Sequence, residues 1–97
     1  MRWIVFLRPA AEDDIEAARA HYQGVTASLG DAFLDDMAEA MLGLQDNPEW
    51  PRLYHRGFRR ILLKRFPYKI FYLLDEPRVI VFRVLHGRQD HSRWLPK

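Results

Sequence analysis

The stretch FRRILLKRFPYKIFYLL, residues 58–74, and the stretch VIVFRVLH, residues 79–86, decide the fold of this chain. Both are rich in β-branched and aromatic residues, and Pro67 and Pro77 mark short turns between apolar runs. Connections this short join antiparallel neighbours, because a parallel pair needs a crossover of roughly a dozen residues or more. The sequence therefore predicts a three-stranded antiparallel meander over residues 58–65, 68–74 and 79–86.

The residues before the meander show helical periodicity in two blocks. Pro9 suits the first turn of a helix, since its missing N–H would have no partner there, and Gly24 ends this first pattern. Thr26 or Ser28 can cap a second helix, which ends at Asn47 and the proline that follows it. Acidic residues lie near the start of the first helix, where they favour the helix dipole, and opposite the apolar stripe of the second, which indicates a side that faces solvent.

Residues 3–7 are short, β-branched and aromatic, and they predict one further strand before the helices. A chain of 97 residues supports one hydrophobic core, so we expect residues 1–97 to form a single domain. The predicted fold class is α+β. It consists of an N-terminal strand, a two-helix hairpin and a three-stranded antiparallel meander, with the helices packed on one face of the sheet.

The net charge of +2 conceals a strong asymmetry along the chain. Residues 1–48 carry three basic and nine acidic side chains, whereas residues 49–97 carry twelve basic and four acidic ones. The two halves therefore have net charges of −6 and +8. Such a distribution favours a dipolar molecule with one face suited to an acidic partner or a polyanion. The alternative is an uneven scatter of solvated surface charges.

Alternation along the three predicted strands separates charged from uncharged side chains. The uncharged set is expected under the helices, because burial of unpaired lysine or arginine is costly. This set comprises Ile61, Leu63, Ile70, Tyr72, Leu74, Ile80, Phe82 and Val84. The opposite set mixes cations with apolar side chains and predicts a docking face. Its members are Arg60, Leu62, Lys64, Lys69, Phe71, Leu73 and Arg83. The alternative is that lysine and arginine stems merely cover a weakly packed sheet face.

One histidine, His86, lies at a predicted strand end and is followed by arginines. A histidine titrates near neutral pH and can act as a general acid or base, while arginines can stabilise charge on a phosphate. The candidate catalytic residues, if the chain is a ribonuclease, are His86, Arg60, Lys69, Arg83 and Arg88. The alternative is a histidine whose ring ties the strand end to the backbone.

Several classes of protein are disfavoured by composition. The four histidines lack zinc-ligand spacing and the chain has no cysteine, so we expect no metal site. The sequence has no glycine-rich phosphate loop and indicates no cofactor. No apolar run approaches the roughly 20 residues that a membrane-spanning helix needs, and the N-terminal apolar run is too short for a signal peptide. We expect a cytoplasmic protein without a membrane partner.

The run from Gly57 to Tyr72, GFRRILLKRFPYKIFY, together with VLHGR at residues 84–88, resembles the RelE/ParE toxins of bacterial type II toxin–antitoxin systems. The resemblance implies a toxin that a cognate antitoxin holds inactive, with the antitoxin's C-terminal segment wrapped around the toxin. The basic, partly apolar face is the kind of surface that such a segment covers. The expected partner-binding residues are Arg60, Leu62, Lys64, Lys69, Phe71, Arg83, Arg93 and Trp94.

The resemblance leaves two molecular targets open. RelE-like members cut mRNA on the ribosome with lysines, arginines and a C-terminal tyrosine, but Leu62 stands here in place of one lysine and Arg93-Trp94 in place of the tyrosine region. ParE-like members poison DNA gyrase, and this branch is favoured. A relative that binds its partner but is no longer toxic is the third reading. The roles of Trp50 and Trp94, in the core or on a contact surface, stay open.

Overall fold

A computed structural model describes residues 2–89, in which two helices cover one face of a five-stranded sheet. The elements in chain order are β1 (Ile4–Leu7), α1 (Pro9–Gln23), α2 (Ala27–Asp46), β2 (Leu53–His55), β3 (Phe58–Leu62), β4 (Tyr68–Asp75) and β5 (Arg78–His86). The strand order is β1-β5-β4-β3-β2, with β1 parallel to β5 and every other pair antiparallel. The predicted α+β class is confirmed.

The helix boundaries follow the local signals in the sequence. Pro9 occupies the first turn of α1, and the backbone N–H of Gly24 closes its last turn on the carbonyl of Ala20 at 3.0 Å. Thr26, not Ser28, caps α2, since its hydroxyl accepts a hydrogen bond from the N–H of Leu29 at 3.3 Å. Both helices therefore begin and end within a residue of their predicted bounds.

The sheet contains one strand more than predicted, because β2 forms between α2 and β3, where no strand was expected. Its three residues pair with the start of β3 through a two-residue connection, Arg56-Gly57, in which both residues have positive φ angles of 47° and 86°. Glycine accepts this conformation without a steric penalty, so Gly57 lets the chain reverse tightly. The meander consequently has four strands, from β2 to β5.

A β-bulge in β5 reverses the predicted orientation of two side chains. Phe71 pairs with Arg83 and Tyr72 with Val81, so that Phe82 is an extra residue on β5. Before the bulge, Val79 and Val81 face the helices, while Ile80 and Phe82 lie on the opposite face of the sheet. The prediction that Ile80 and Phe82 pack under the helices is wrong, because one inserted residue shifts a period-two pattern.

The main core lies between the helices and the β4–β5 pair. Ile70, Tyr72 and Val81 are fully buried there, and an aromatic group from both layers joins them. This group consists of Tyr22, Phe33, Phe66 and Tyr68, with ring centroids 4.7–6.2 Å apart. Across residues 2–89, neither helix is long and apolar enough to cross a membrane.

Tyr72 joins this core to the loop after α2 and makes the free energy of unfolding depend on pH above pH 10. Its buried hydroxyl donates a hydrogen bond to the carbonyl of Pro48 at 2.8 Å, and burial raises the pKa of Tyr72 to about 12. The folded state therefore keeps this proton above pH 10, where the unfolded chain loses it. The stabilising contribution is present below pH 10 and is lost as pH rises toward 12.

We expect the free energy of unfolding to fall between pH 10 and pH 12, by up to about 1.4 kcal/mol per pH unit from this one group. Tyr72→Phe should flatten that part of the curve and cost about 1 kcal/mol at pH 7, since the Pro48 carbonyl loses its donor. Urea denaturation of both proteins at pH 7 to 11 measures the difference. Equal slopes above pH 10 would show that Tyr72 does not titrate as expected.

Candidate docking surface

The face of the sheet opposite the helices, here called the helix-free face, has a small apolar cluster of its own. Phe58, Phe71 and Leu85 are buried in it, and Leu73 and Phe82 pack against them. Phe58 and Phe82 meet edge to face, with ring centroids 4.9 Å apart. The register places Leu62 and Lys69 on this face beside Leu85 and thus confirms the predicted orientation of β3 and β4.

Cations surround this apolar cluster. The guanidinium of Arg60 lies over the ring of Tyr54, 3.9 Å from its centroid, and that of Arg8 lies over Phe82 at 3.7 Å. Lys69 is half-buried at one end of the face. A guanidinium stacked on an aromatic ring keeps its full charge and its N–H donors. The helix-free face therefore presents positively charged side chains around a buried apolar cluster.

Large apolar side chains at the margins of the helix-free face remain exposed to solvent. Leu62 is 65% exposed, and Ile4 and Phe6, which register places on the same face through β1, are 52% and 47% exposed. Ile4 and Phe6 lie beside Arg78 and Ile80 at one corner of the face, and Leu62 lies beside Lys69 on the far side of the sheet. Scattered exposed apolar residues are ordinary, but Leu62 is next to a cation and the buried apolar cluster, a combination typical of an interaction surface. The sequence located Leu62 correctly but did not identify Ile4 and Phe6.

Arg83 departs from the prediction of one cationic face. Its guanidinium makes two hydrogen bonds of 2.7 Å with the carboxylate of Asp14 on α1, and the same carboxylate accepts the N–H of Val84 at 2.9 Å. Both side chains of the ion pair are less than a fifth exposed. Donation of these hydrogen bonds to Asp14 raises the pKa of Arg83, and burial opposes this only in part. Arg83 therefore fastens β5 to α1, contrary to the expectation that it belongs to the open face.

Two other residues assigned to the docking face are also placed differently. Lys64 lies beyond the end of β3 and forms a salt bridge of 2.6 Å with Glu39 on α2, so it belongs to the helical side. This salt bridge raises the pKa of Lys64. Phe71 lies on the predicted face but is fully buried, because it forms the centre of the apolar cluster. Arg60, Leu62 and Lys69 are the predicted residues that this face presents.

His86 lies on the other side of the sheet from Arg60 and Lys69. It pairs with Tyr68, whose ring faces the helices, and the two ring centroids are 5.2 Å apart. The Nδ1 atom of His86 accepts the backbone N–H of Arg88 at 3.1 Å, which leaves Nε2 to carry the proton in the neutral ring. The sheet therefore separates the candidate proton-transfer group from two of the candidate phosphate-binding cations.

Of the other residues considered in the sequence, some lie on the surface of residues 2–89 and some lie outside the described residues. Arg88 is exposed just after β5, while Arg93 and Trp94 lie outside the described residues. Trp50 is 80% exposed, so it belongs to the surface and not to the core. The side chain of Arg59 holds the loop around Trp50 by donating to the carbonyls of Glu49 and Pro51 at 3.1 and 2.6 Å.

Sequence reasoning missed Asp36, which organises the connection between β3 and β4. Although charged, it is 3% exposed, and its carboxylate accepts the backbone N–H groups of Lys64, Arg65 and Phe66 at 2.9–3.3 Å. This contact ends β3 at Leu62, three residues earlier than predicted. The available signal was position alone, since Asp36 precedes the buried Met37 in the apolar stripe of α2.

Within residues 2–89, no group of three histidine, cysteine, aspartate or glutamate side chains is arranged to hold a metal ion. Among the described strand residues of the helix-free face, most of the charged side chains are cations, and the one carboxylate, Asp75, is paired with Arg78. The arrangement is one that binds acidic groups while burying apolar ones.

The mixed sheet with a helical hairpin on one face is a fold shared with solved toxin–antitoxin structures. One chain of the chromosomal ParDE toxin–antitoxin system from P. aeruginosa superimposes with a TM-score of 0.76 at 20% identity, covering 88% of this chain and 96% of that one. One chain of the RelBE2 toxin–antitoxin complex from Mycobacterium tuberculosis gives 0.56 at 18% identity, covering 89% and 99%. A search of curated protein sequences finds no match.

A match to a family model adds the class of protein to this shared fold, a small toxin of the RelE/ParE superfamily. The family model described as the ParE toxin of the type II toxin–antitoxin system, parDE, matches residues 5–91. This chain belongs to the ParE toxin family.

Proposed function

We propose that this toxin is neutralised in the cytoplasm by a cognate antitoxin that binds its helix-free face. The support is the combination of exposed Leu62 with Arg60 and Lys69 around a buried apolar cluster. Among the described strand residues of this face, the single carboxylate, Asp75, is paired with Arg78. An amphipathic acidic segment that orders on binding matches both the charge and the apolar area.

We further propose that the free toxin acts by binding and inhibiting DNA gyrase. The observation that carries this proposal is the position of His86, which the sheet separates from Arg60 and Lys69. Cleavage of RNA needs a proton-transfer group and phosphate-binding cations within reach of the same phosphate. Inhibition by binding has no such requirement, so it accords with a family described as ParE toxins.

Supercoiling of relaxed plasmid by purified gyrase tests this directly. We expect added toxin to reduce supercoiling in a dose-dependent way, and an equimolar amount of antitoxin to restore it. Supercoiling that is unchanged at saturating toxin would contradict the proposal. A His86→Gln toxin provides the matched control, because it should inhibit like the wild type if no proton transfer is involved.

Cells that express the toxin without its antitoxin distinguish gyrase inhibition from the other two readings, a ribonuclease and a non-toxic relative. Primer extension on mRNA from cells that express the toxin alone should show no new cuts within codons. If cuts appear, and His86→Gln slows them about 10²–10⁴-fold, the chain is a ribonuclease instead. Normal growth without antitoxin, together with tight antitoxin binding, would identify a non-toxic relative.

A further inference from the structure

An apolar groove of about 640 Å³, here called the α2–β3 groove, lies between the second helix and the end of β3. Its volume is typical of sites that enclose a ligand or a partner's side chains. The apolar part of its lining consists mainly of Ala40, Gly43, Leu44, Ile61, Leu62 and Trp50. Because Leu62 and Trp50 are 65% and 80% exposed, much of this apolar lining is in contact with solvent.

Gly43 widens the groove at a cost to the helix that contains it. Glycine in a helix interior is less favourable than alanine by up to about 1 kcal/mol. Among the described residues, no atom beyond the chain neighbours and the local helix backbone lies within 4 Å of the point where a Cβ of residue 43 would be. Packing within this part of the chain therefore does not require glycine. The space beside Gly43 suits a ring that comes from another molecule.

Trp50 is an exposed aromatic residue on a loop that hydrogen bonds hold in place. Its N–H donates to the carbonyl of Asn47 at 3.4 Å. Arg59 donates to the carbonyls of the residues on either side of it, Glu49 and Pro51, at 3.1 and 2.6 Å. Aromatic residues on an ordered backbone are typical anchors of protein interfaces, because they lose little conformational entropy on binding. Trp50 therefore has the properties of such an anchor.

The charged side chains that line the groove are paired within the chain. Lys64 forms a salt bridge of 2.6 Å with Glu39, and the buried carboxylate of Asp36 accepts three backbone N–H groups. The described lining thus contains no unpaired cation for an acidic segment or a phosphate, in contrast to the helix-free face. The groove favours a partner that contributes an uncharged aromatic side chain.

A second copy of this chain supplies that side chain. Trp50 and the groove belong to one patch, so a two-fold axis beside them would place the ring of each copy in the groove of the other, as a self-complementary interface requires. Each tryptophan buries roughly 150–250 Å². Two rings and the groove walls that they cover therefore amount to roughly 600–1,000 Å², the size of a weak, reversible interface.

We propose that two copies of this toxin associate reversibly by inserting Trp50 of each copy into the α2–β3 groove of the other. This association involves neither an antitoxin nor gyrase, so it does not depend on the proposed function. The test accordingly uses the purified toxin alone.

Two variants remove the two halves of the contact separately. Trp50→Ala deletes the ring, whereas Gly43→Leu fills the groove and improves the helix propensity of α2. Each homodimer then lacks both ring contacts. Sedimentation velocity over a concentration series should show dimerisation weakened about 10²-fold, since each lost ring costs about tenfold or more. Val25→Ala, at a 64% exposed position in the turn between the helices, is the matched control and should dimerise like the wild type.

An equimolar mixture of the two variants gives a result that unfolding cannot produce. The Trp50→Ala copy keeps its groove and the Gly43→Leu copy keeps its ring, so a mixed pair retains one of the two contacts. We expect the mixture to associate about tenfold more tightly than either variant alone and about tenfold more weakly than the wild type. Thermal denaturation of each variant checks that it is folded.

Three results would overturn this inference. The first is a wild-type toxin that stays monomeric at every concentration reached. The second is a dimer that persists unchanged in both variants, because it would form through another surface. The third is a mixture that associates no better than its components. A monomeric wild type whose folded Trp50→Ala variant loses antitoxin binding or gyrase inhibition would assign the groove to that partner and exclude the second copy as its occupant.

Discussion

Replacement of both Arg60 and Lys69 by glutamate is expected to weaken antitoxin binding by about 10²–10³-fold. The two cations lie on the helix-free face, and within the described residues neither forms an ion pair. Their reversal therefore removes no native salt bridge, but it sets two carboxylates against an acidic partner. Like-charge juxtaposition at an interface costs several kcal/mol, which corresponds to this loss of affinity.

The matched control is Arg52→Glu combined with Arg65→Glu, which changes the net charge equally at exposed positions outside the strands that form this face. Titration calorimetry at two salt concentrations should show a large loss for the first pair and a small, salt-screened loss for the second. Both variants should melt within a few degrees of the wild type. Equal losses for the two pairs would show that the partner responds to total charge, not to this face.

Asp36→Ala is expected to lower the free energy of unfolding by about 3–5 kcal/mol. The carboxylate is buried and accepts three backbone N–H groups from the β3–β4 connection, so its removal leaves these donors without their partner, the N–H of Phe66 in a buried position and those of Lys64 and Arg65 partly buried. Each unsatisfied buried donor costs about 1–3 kcal/mol, and partial rearrangement or water entry recovers some of this. The loss is large relative to the total stability of a domain of this size.

Urea denaturation of Asp36→Ala against Asp35→Ala measures the effect. Asp35 is the preceding residue on the same helix, but it is exposed, so its removal should change stability by less than about 0.5 kcal/mol. Asp36→Asn should fall between the two, because an amide oxygen still accepts hydrogen bonds. Similar stabilities for Asp36→Ala and Asp35→Ala would show that the connection does not depend on this carboxylate.

Local signals in the sequence were sufficient for most of the fold. Thr26 and Asn47 mark the ends of α2 through hydrogen bonds made within a few residues, and Pro9 marks the start of α1 because it lacks an N–H, so the pattern alone locates them. The bulge at Phe82 has no comparable signal. It arises where β5 pairs with β4 while Asp14 binds Arg83 and Val84. Asp14 is separated from Arg83 by 69 positions in the sequence and from Val84 by 70, so no local pattern reveals the contact.

The residues of the helix-free face were also predictable where local alternation decides their orientation. Arg60, Leu62 and Lys69 follow the alternation of β3 and β4, which no bulge interrupts. Lys64 and Arg83 were misplaced because acidic residues on the helices, Glu39 and Asp14, bind them across the fold. The strand period predicts the face of the sheet from which a side chain leaves the backbone. A long cationic side chain can nevertheless reach a carboxylate on another element.

Photo-crosslinking tests the central claim that the helix-free face is the surface to which the antitoxin binds. A photoreactive phenylalanine analogue would be placed at Leu62 on this face and, in a second protein, at Asp35 on the solvent side of α2. The account predicts efficient crosslinks to the antitoxin from position 62 in the purified complex. Crosslinks from position 35 with none from position 62 would contradict it.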